Sequence, residues 1–173
     1  MSEHPAITLV PPQFLTELGA LTLNWAAIEG ALDFSVSMIF RYLRNEKMQA
    51  EIPRALEKKI IFIRQALRHE QLASIENPSR KLMTDLMAAK DGRHSLVHGA
   101  VLRADETSIT TLRVRYNKTG HSIGEHTISI KDVTALAAIA HDLSLRTTAF
   151  SVAVSNIATP KDPIDYPLSD FAL

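Results

Sequence analysis

The sequence predicts a mainly α fold: an antiparallel bundle of about four helices with a small β-hairpin inserted before the last one. Three observations carry that expectation. Apolar residues recur at steps of three and four through residues 14–43, the period of one buried helical face. The same period returns over residues 56–89 and again over 133–154. Between those stretches, over residues 100–130, it gives way to short β-rich runs on either side of Asn117-Lys118-Thr119-Gly120, which has turn composition.

Taken in order, residues 1–10 read as a loose arm closed by Pro11-Pro12, and proline is tolerated in the first turn of a helix. The first helix carries Phe14, Leu18, Leu21, Trp25, Ile28, Leu32, Val36, Ile39 and Leu43 on one stripe. It is expected to end near Arg44-Asn45, where Arg41 and Arg44 suit the negative end of its dipole. Pro53 opens a second helix with Leu56, Ile60, Ile63 and Leu67 inward and Lys58, Lys59, Arg64 and Arg68 on the remaining faces. Asn77-Pro78 make an N-cap and N1 pair for a third. Its stripe of Leu82, Leu86 and Ala89 puts Arg93 next in line, and Gly92 and Gly99 are expected to fray or stop it. Residues 107–116 and 121–130 form the hairpin, to which Val101-Leu102-Arg103 is a candidate third strand. Ser129-Ile130-Lys131-Asp132 has the spacing of a capping box, with Asp in place of the preferred Glu. It starts the fourth helix, whose stripe is Val133, Leu136, Ala140, Leu143, Thr147, Phe150 and Val154. One domain therefore spans 1–156, with the insertion at about 100–130, and residues 157–173, with Pro160, Pro163 and Pro167, form an extended tail.

Composition narrows the functional classes. A chain of 173 residues with 46% hydrophobic content fits one domain with a sizeable core. Nineteen basic residues balance nineteen acidic ones, so no global field draws it to nucleic acid or to a membrane. The absence of cysteine excludes disulfides, thiol nucleophiles and cysteine zinc sites. Met1-Ser2-Glu3-His4-Pro5 lacks the basic and apolar regions of a signal peptide, and the uncharged run 147–160 falls short of the roughly 18 residues of a spanning helix. The expectation is a cytoplasmic protein without a membrane partner.

The chemistry concentrates in Asp91-Gly92-Arg93-His94-Ser95-Leu96-Val97-His98-Gly99. Histidine is the usual general acid or base near neutral pH, and a permanently charged arginine binds phosphate in a fork. Arg93 and His98 together suit phosphodiester cleavage, in which a proton moves while charge builds on phosphate oxygens. In a straight helix the two would point about 140° apart, so they converge only where the helix frays or ends. The competing structural reading has Arg93 paired with a carboxylate and His98 capping the helix. Glu29, on or beside the first stripe, needs a partner when buried, and Arg93 or Lys59 are natural ones. His94 and His98 have the i, i+4 spacing of two ligands, but without an HExxH pattern or cysteine neither a metal nor another cofactor is expected.

Residues 41–68 carry eight basic side chains (41, 44, 47, 54, 58, 59, 64, 68) against three acidic ones (46, 51, 57), a local excess of five. Lys58, Lys59 and Arg64 are the candidates for tracking a nucleic-acid backbone, the alternative being a solvated helix face. No GxGxxG, GxxxxGK[ST] or GxSxG is present.

Trp25-Ala26-Ala27-Ile28-Glu29 on a long first helix, followed by Arg93 and His98 with four residues between them near the end of the third, resembles the HEPN superfamily (higher eukaryotes and prokaryotes nucleotide-binding). Its shared signature is Arg, four to six residues, then His. The resemblance covers about residues 12–100 and 131–156 and implies a four- to five-helix bundle that dimerises with its two signatures facing each other. It also implies metal-independent endoribonuclease activity of the toxin–antitoxin or defence kind, acting on RNA, with Arg93 and His98 catalytic, His94 and Glu29 supporting, and an antitoxin protein as a further partner. His94 occupies the place just after the arginine where active members carry Asn, Asp or His, whereas Gly92 before it is a departure. Non-catalytic relatives imply the alternative, a binding or assembly module.

Overall fold

Proline supplies the start of the first helix. The computed structural model describes residues 10–43, 51–97, 100–117 and 120–164, the side chains of 95, 97 and 115–117 excepted. In it α1 spans Pro12–Met38, with Pro11 extended as its N-cap. Phe14, Leu21, Trp25, Ile28, Leu32 and Val36 are buried along its inner face. A π-helical turn, Ile39–Leu43, follows without a break and keeps Ile39 and Leu43 in the same core. The expected end at Arg44-Asn45 lies outside the described residues.

Helix α2 (Leu56–Ala66) buries Ile60, Phe62, Ile63 and Ala66. It also buries Lys59, which was expected on an outer face. The correction has a physical reason: the aliphatic stem packs inward while the ammonium reaches Asp33 of α1 at 2.5 Å. A 3-10 segment, Glu70–Ile75, anchored by Leu72 and Ile75, runs directly into α3 (Glu76–Val97). Asn77 and Pro78 therefore lie inside the first turn rather than at its cap. Proline is tolerated there because the first turn needs no intrahelical donor.

Gly92 does not stop α3, which remains helical to Val97. A Cβ at this position would meet the two methyls of Leu136 at 3.2 and 3.3 Å. Gly92 thus marks a close approach of α3 to the last helix rather than a turn.

The insertion is a three-stranded antiparallel sheet of order β1-β2-β3, more than the hairpin expected: β1 is Ala100–Ala104, β2 Ser108–Asn117 and β3 Gly120–Ser129. Asp105 ties the β1–β2 turn by accepting hydrogen bonds from the backbone and hydroxyl groups of both Thr107 and Ser108. Those bonds hold its carboxyl down at about 2. The sheet enters the core at its root, where the paired Ile109 and Ile128 are buried. Beyond the root β3 is exposed.

Ser129 ends β3 and caps α4 (Ile130–Ala158). Its hydroxyl accepts from the Asp132 amide while the Asp132 carboxylate accepts from the Ser129 amide, the expected capping box. From Ala149 to Ser155 every side chain of α4 is buried. Its hydroxyls are satisfied locally, as in Thr147 Oγ1 to Leu143 O at 2.6 Å. Helix α4 packs most extensively on α1 and also contacts α3, while α2 lies against α1 and α3. Asn156 donates to and accepts from the Ile164 backbone, folding the first tail residues back on the helix end. Among the described residues no helix is long and apolar enough to cross a membrane.

Candidate functional site

A cleft of about 470 Å³ opens where the middle of α1, the start of α2 and the end of α3 meet. Trp25 and Glu29 come from α1, Leu56 and Glu57 from α2, and Lys90, Asp91, Arg93 and His94 from α3. The helical period explains the supply: Trp25 and Glu29 are one turn apart, as are Lys90 and His94, and such pairs share a face.

Trp25 is the organiser. Its ring is only 1% exposed, and a buried indole N–H needs an acceptor. Glu29 Oε1, one turn on, provides it at 3.0 Å. The guanidinium carbon of Arg93 lies 5.8 Å from the ring centroid, within cation–π reach. Glu29 and Arg93 are thus coupled through the indole. The direct cation partner expected for Glu29 is replaced by that N–H, since Lys59 is engaged with Asp33.

Arg93 is half-buried, and its Nε is enclosed without a hydrogen-bond partner. Among the described residues no carboxylate lies within ion-pair distance of it, so the expected salt bridge to a helix carboxylate is absent. Lys90 differs: it hydrogen-bonds Glu57 and lies 3.9 Å from Asp91. The hydrogen bond and the charge of Lys90 hold the Glu57 carboxyl below its ordinary range. In return the hydrogen bond to Glu57 outweighs burial and, with the charges of Glu57 and Asp91, raises the Lys90 ammonium. Of these two cations, Arg93 is the one without an ion pair among the described residues.

His94 is exposed and lines the cleft beside Arg93. His98 lies outside the described residues. Among the described residues α3 runs unbroken through Gly92 and Arg93 to Val97.

The three basic residues of α2 do not form one patch. Lys58 is exposed and lines a separate hollow with Phe40, Pro53 and Arg54. Lys59 is buried against Asp33, and Arg64 donates to Thr84 Oγ1 of α3 at 2.9 Å. A second cavity, about 680 Å³ between α3 and α4, is floored by Ala89, Gly92, Leu136 and Ile139. Its cation, Arg146, is taken by Asp85 at 2.9 Å and Asp142 at 3.3 Å. Burial there works to raise the Asp85 carboxyl, but hydrogen bonds from Arg146 and Lys81 outweigh it and lower the pKa.

Lys90, Glu57 and the bridging role of Trp25 were missed in the sequence. The Trp-x3-Glu spacing was a usable signal for the indole bond. Nothing local links Glu57 to Lys90, 33 residues away. Compared with protein-family models, with curated proteins and with solved structures, the chain has no significant match.

Proposed function

We propose that this chain is a HEPN-like, metal-independent endoribonuclease of toxin or defence type, its helices arranged as that family's antiparallel bundle. The observation that carries the reading is Arg93: a cation braced on the Trp25 ring, at a cleft, with no carboxylate in ion-pair distance among the described residues. His98 withdraws the proton of an RNA 2′-hydroxyl, which attacks the adjacent phosphorus to form a 2′,3′-cyclic phosphate; the P–O5′ bond breaks, the 5′-oxygen leaves with a proton from water, and His98 returns its proton to solvent. Arg93 binds the phosphate and stabilises the charge that accumulates on its oxygens. Glu29 is a positioning residue acting through Trp25, and His94 supports from the cleft rim. Of the basic residues of α2, Lys58 is the one exposed for an RNA backbone to track, since Lys59 is held by Asp33 and Arg64 donates to Thr84. The functional unit is a cytoplasmic homodimer with its two Arg93–His98 stretches facing each other, and an antitoxin protein is its natural inhibitor.

A second reading rests on the charge balance of the cleft: Glu29, Glu57 and Asp91 outnumber Lys90 and Arg93. That suits a non-catalytic binding or assembly module in which Arg93 serves packing. The test is cleavage of bulk RNA in EDTA by the wild type and by His98→Ala. The nuclease reading requires wild-type cleavage that the variant lacks. Equal activity in both, or none in either across several buffers, overturns it; the module reading requires His98→Ala to alter stability or dimerisation instead.

A further inference from the structure

Strand β3 is an unprotected sheet edge. Exposed edges are ordinarily blunted by shortness, bulges, proline or charge, because their unpaired backbone groups template pairing with another chain. The opposite edge follows that rule: β1 has five residues, its register shifts between Val101 and Arg103, and it carries Arg103. β3 does not. It runs ten residues, Gly-His-Ser-Ile-Gly-Glu-His-Thr-Ile-Ser, with no proline, pairs with β2 in unbroken register, and its one carboxylate, Glu125, is held across the sheet face by Arg103 of β1 at 3.2 Å. From Gly120 to Thr127 it is exposed throughout.

The ladder fixes which backbone groups point outward. Asn117↔Gly120 closes the β2–β3 pairing around a two-residue connection, so this pair is hydrogen-bonded. Alternation then makes Tyr116↔His121, Val114↔Ile123 and Leu112↔Glu125 non-hydrogen-bonded pairs. The N–H and C=O groups of His121, Ile123 and Glu125 therefore face away from β2. The side chains at these three positions share one face of the sheet, the face on which Val114 and Ile123 are 42% and 59% exposed.

We infer that β3 pairs with β3 of a second copy, antiparallel about a two-fold axis at Ile123, to form a continuous six-stranded sheet. The two-fold can fall at residue 123, 124 or 125 and still match outward groups. Side-chain chemistry chooses among them. An axis at Glu125 sets a carboxylate against its own copy, and one at Gly124 sets Ile123 against Glu125. Centring on Ile123 instead places Ile123 against Ile123 and His121 opposite Glu125 on both sides. It also runs an apolar row, Val114–Ile123–Ile123–Val114, across the junction, the cross-strand pairing that stabilises sheets. This interface is separate from the one in which the Arg93 clefts face each other. The two Ile128 roots would stand about 34 Å apart along the strands, ten residues at about 3.4 Å each. The inference does not rest on nuclease activity.

The absence of cysteine from the chain makes single-cysteine cross-linking a clean test. At the two-fold the paired Cα atoms come about 5.5 Å apart, within disulfide range. Ile123→Cys should therefore oxidise to a covalent dimer, whereas Glu125→Cys, offset by four residues from its own copy, should not. Ile123→Pro removes the outward donor without touching the β2 ladder. It should halve the assembly mass in sedimentation while leaving the far-UV circular dichroism unchanged. Failure of Ile123→Cys to cross-link, equal cross-linking by Glu125→Cys, or an unchanged assembly mass in a folded Ile123→Pro variant would each overturn the inference. So would a wild type that stays at the 19.2 kDa monomer mass.

Discussion

Replacing Trp25 with phenylalanine isolates the interaction on which the cleft depends. The change keeps an aromatic ring in the core but deletes the indole N–H, leaving the Glu29 carboxylate without its donor at 3.0 Å. A hydrogen bond to a charged acceptor contributes about 1.5–3 kcal/mol, and the half-exposed position of Glu29 puts this one at the lower end. The lost ring volume and the weaker cation–π contact with Arg93 each add about 0.5–1 kcal/mol. The expected loss is about 3 kcal/mol, or about 6–12 °C in Tm for a chain of this length. Urea denaturation of Trp25→Phe, Glu29→Gln and the double variant reads the coupling directly. Once the indole is gone Glu29→Gln should cost almost nothing, giving a coupling of about 1 kcal/mol or more. Additivity of the two changes within about 0.5 kcal/mol would refute the Trp25–Glu29 bond as the element that orders the site.

Three other perturbations address separate parts of the fold. Asp33→Ala strands the buried Lys59 ammonium and should cost about 1–3 kcal/mol, whereas Lys59→Met keeps the stem and should stay within about 1 kcal/mol of the wild type. Urea midpoints in the reverse order would contradict the burial of Lys59. Gly92→Ala gains about 1 kcal/mol of helix propensity against a contact with the mobile methyl ends of half-buried Leu136, for a net stabilisation of about 0.5 kcal/mol. Gly92→Leu should destabilise by about 1–3 kcal/mol through overpacking, and equal tolerance of both by thermal melting would remove the close approach of α3 to α4. The Asp105 carboxyl, at about 2 when folded and 3.8 ordinarily, stabilises the turn fully above the ordinary value and loses that contribution as pH falls through 2. Asp105→Asn should therefore flatten the stability slope between pH 4 and 2, and an NMR-titrated carboxyl at its ordinary value in the wild type would refute the turn network.

How legible the fold was depended on the range of the interactions. The inward rows at Phe14–Leu43 and Val133–Val154 follow a local period, and the Ser129–Asp132 box is four consecutive residues, so both could be read directly. What escaped was decided across elements. Lysine counts as a surface residue until an aspartate on another helix receives its ammonium, as Asp33 does for Lys59. Gly92 looks like a stop signal until Leu136 explains it as a contact point. The site divides the same way. Arg93 stood out from helical spacing, whereas its bracing on Trp25 joins residues 68 positions apart and had no local sign.

Under the proposed function Arg93 and His98 cleave RNA through its own 2′-hydroxyl, and the chemistry of the product ends reports whether they do. A single-stranded RNA and its 2′-O-methyl counterpart would be incubated with the wild type, Arg93→Ala and His98→Ala in EDTA, and the fragment ends identified by mass spectrometry. The expected result is wild-type fragments ending in 2′,3′-cyclic phosphate and 5′-hydroxyl, an intact 2′-O-methyl strand, and at least about a 100-fold loss in either variant, the lower range for removing an acid–base group. Cleavage of the 2′-O-methyl strand, or fragments produced equally by His98→Ala, would contradict it.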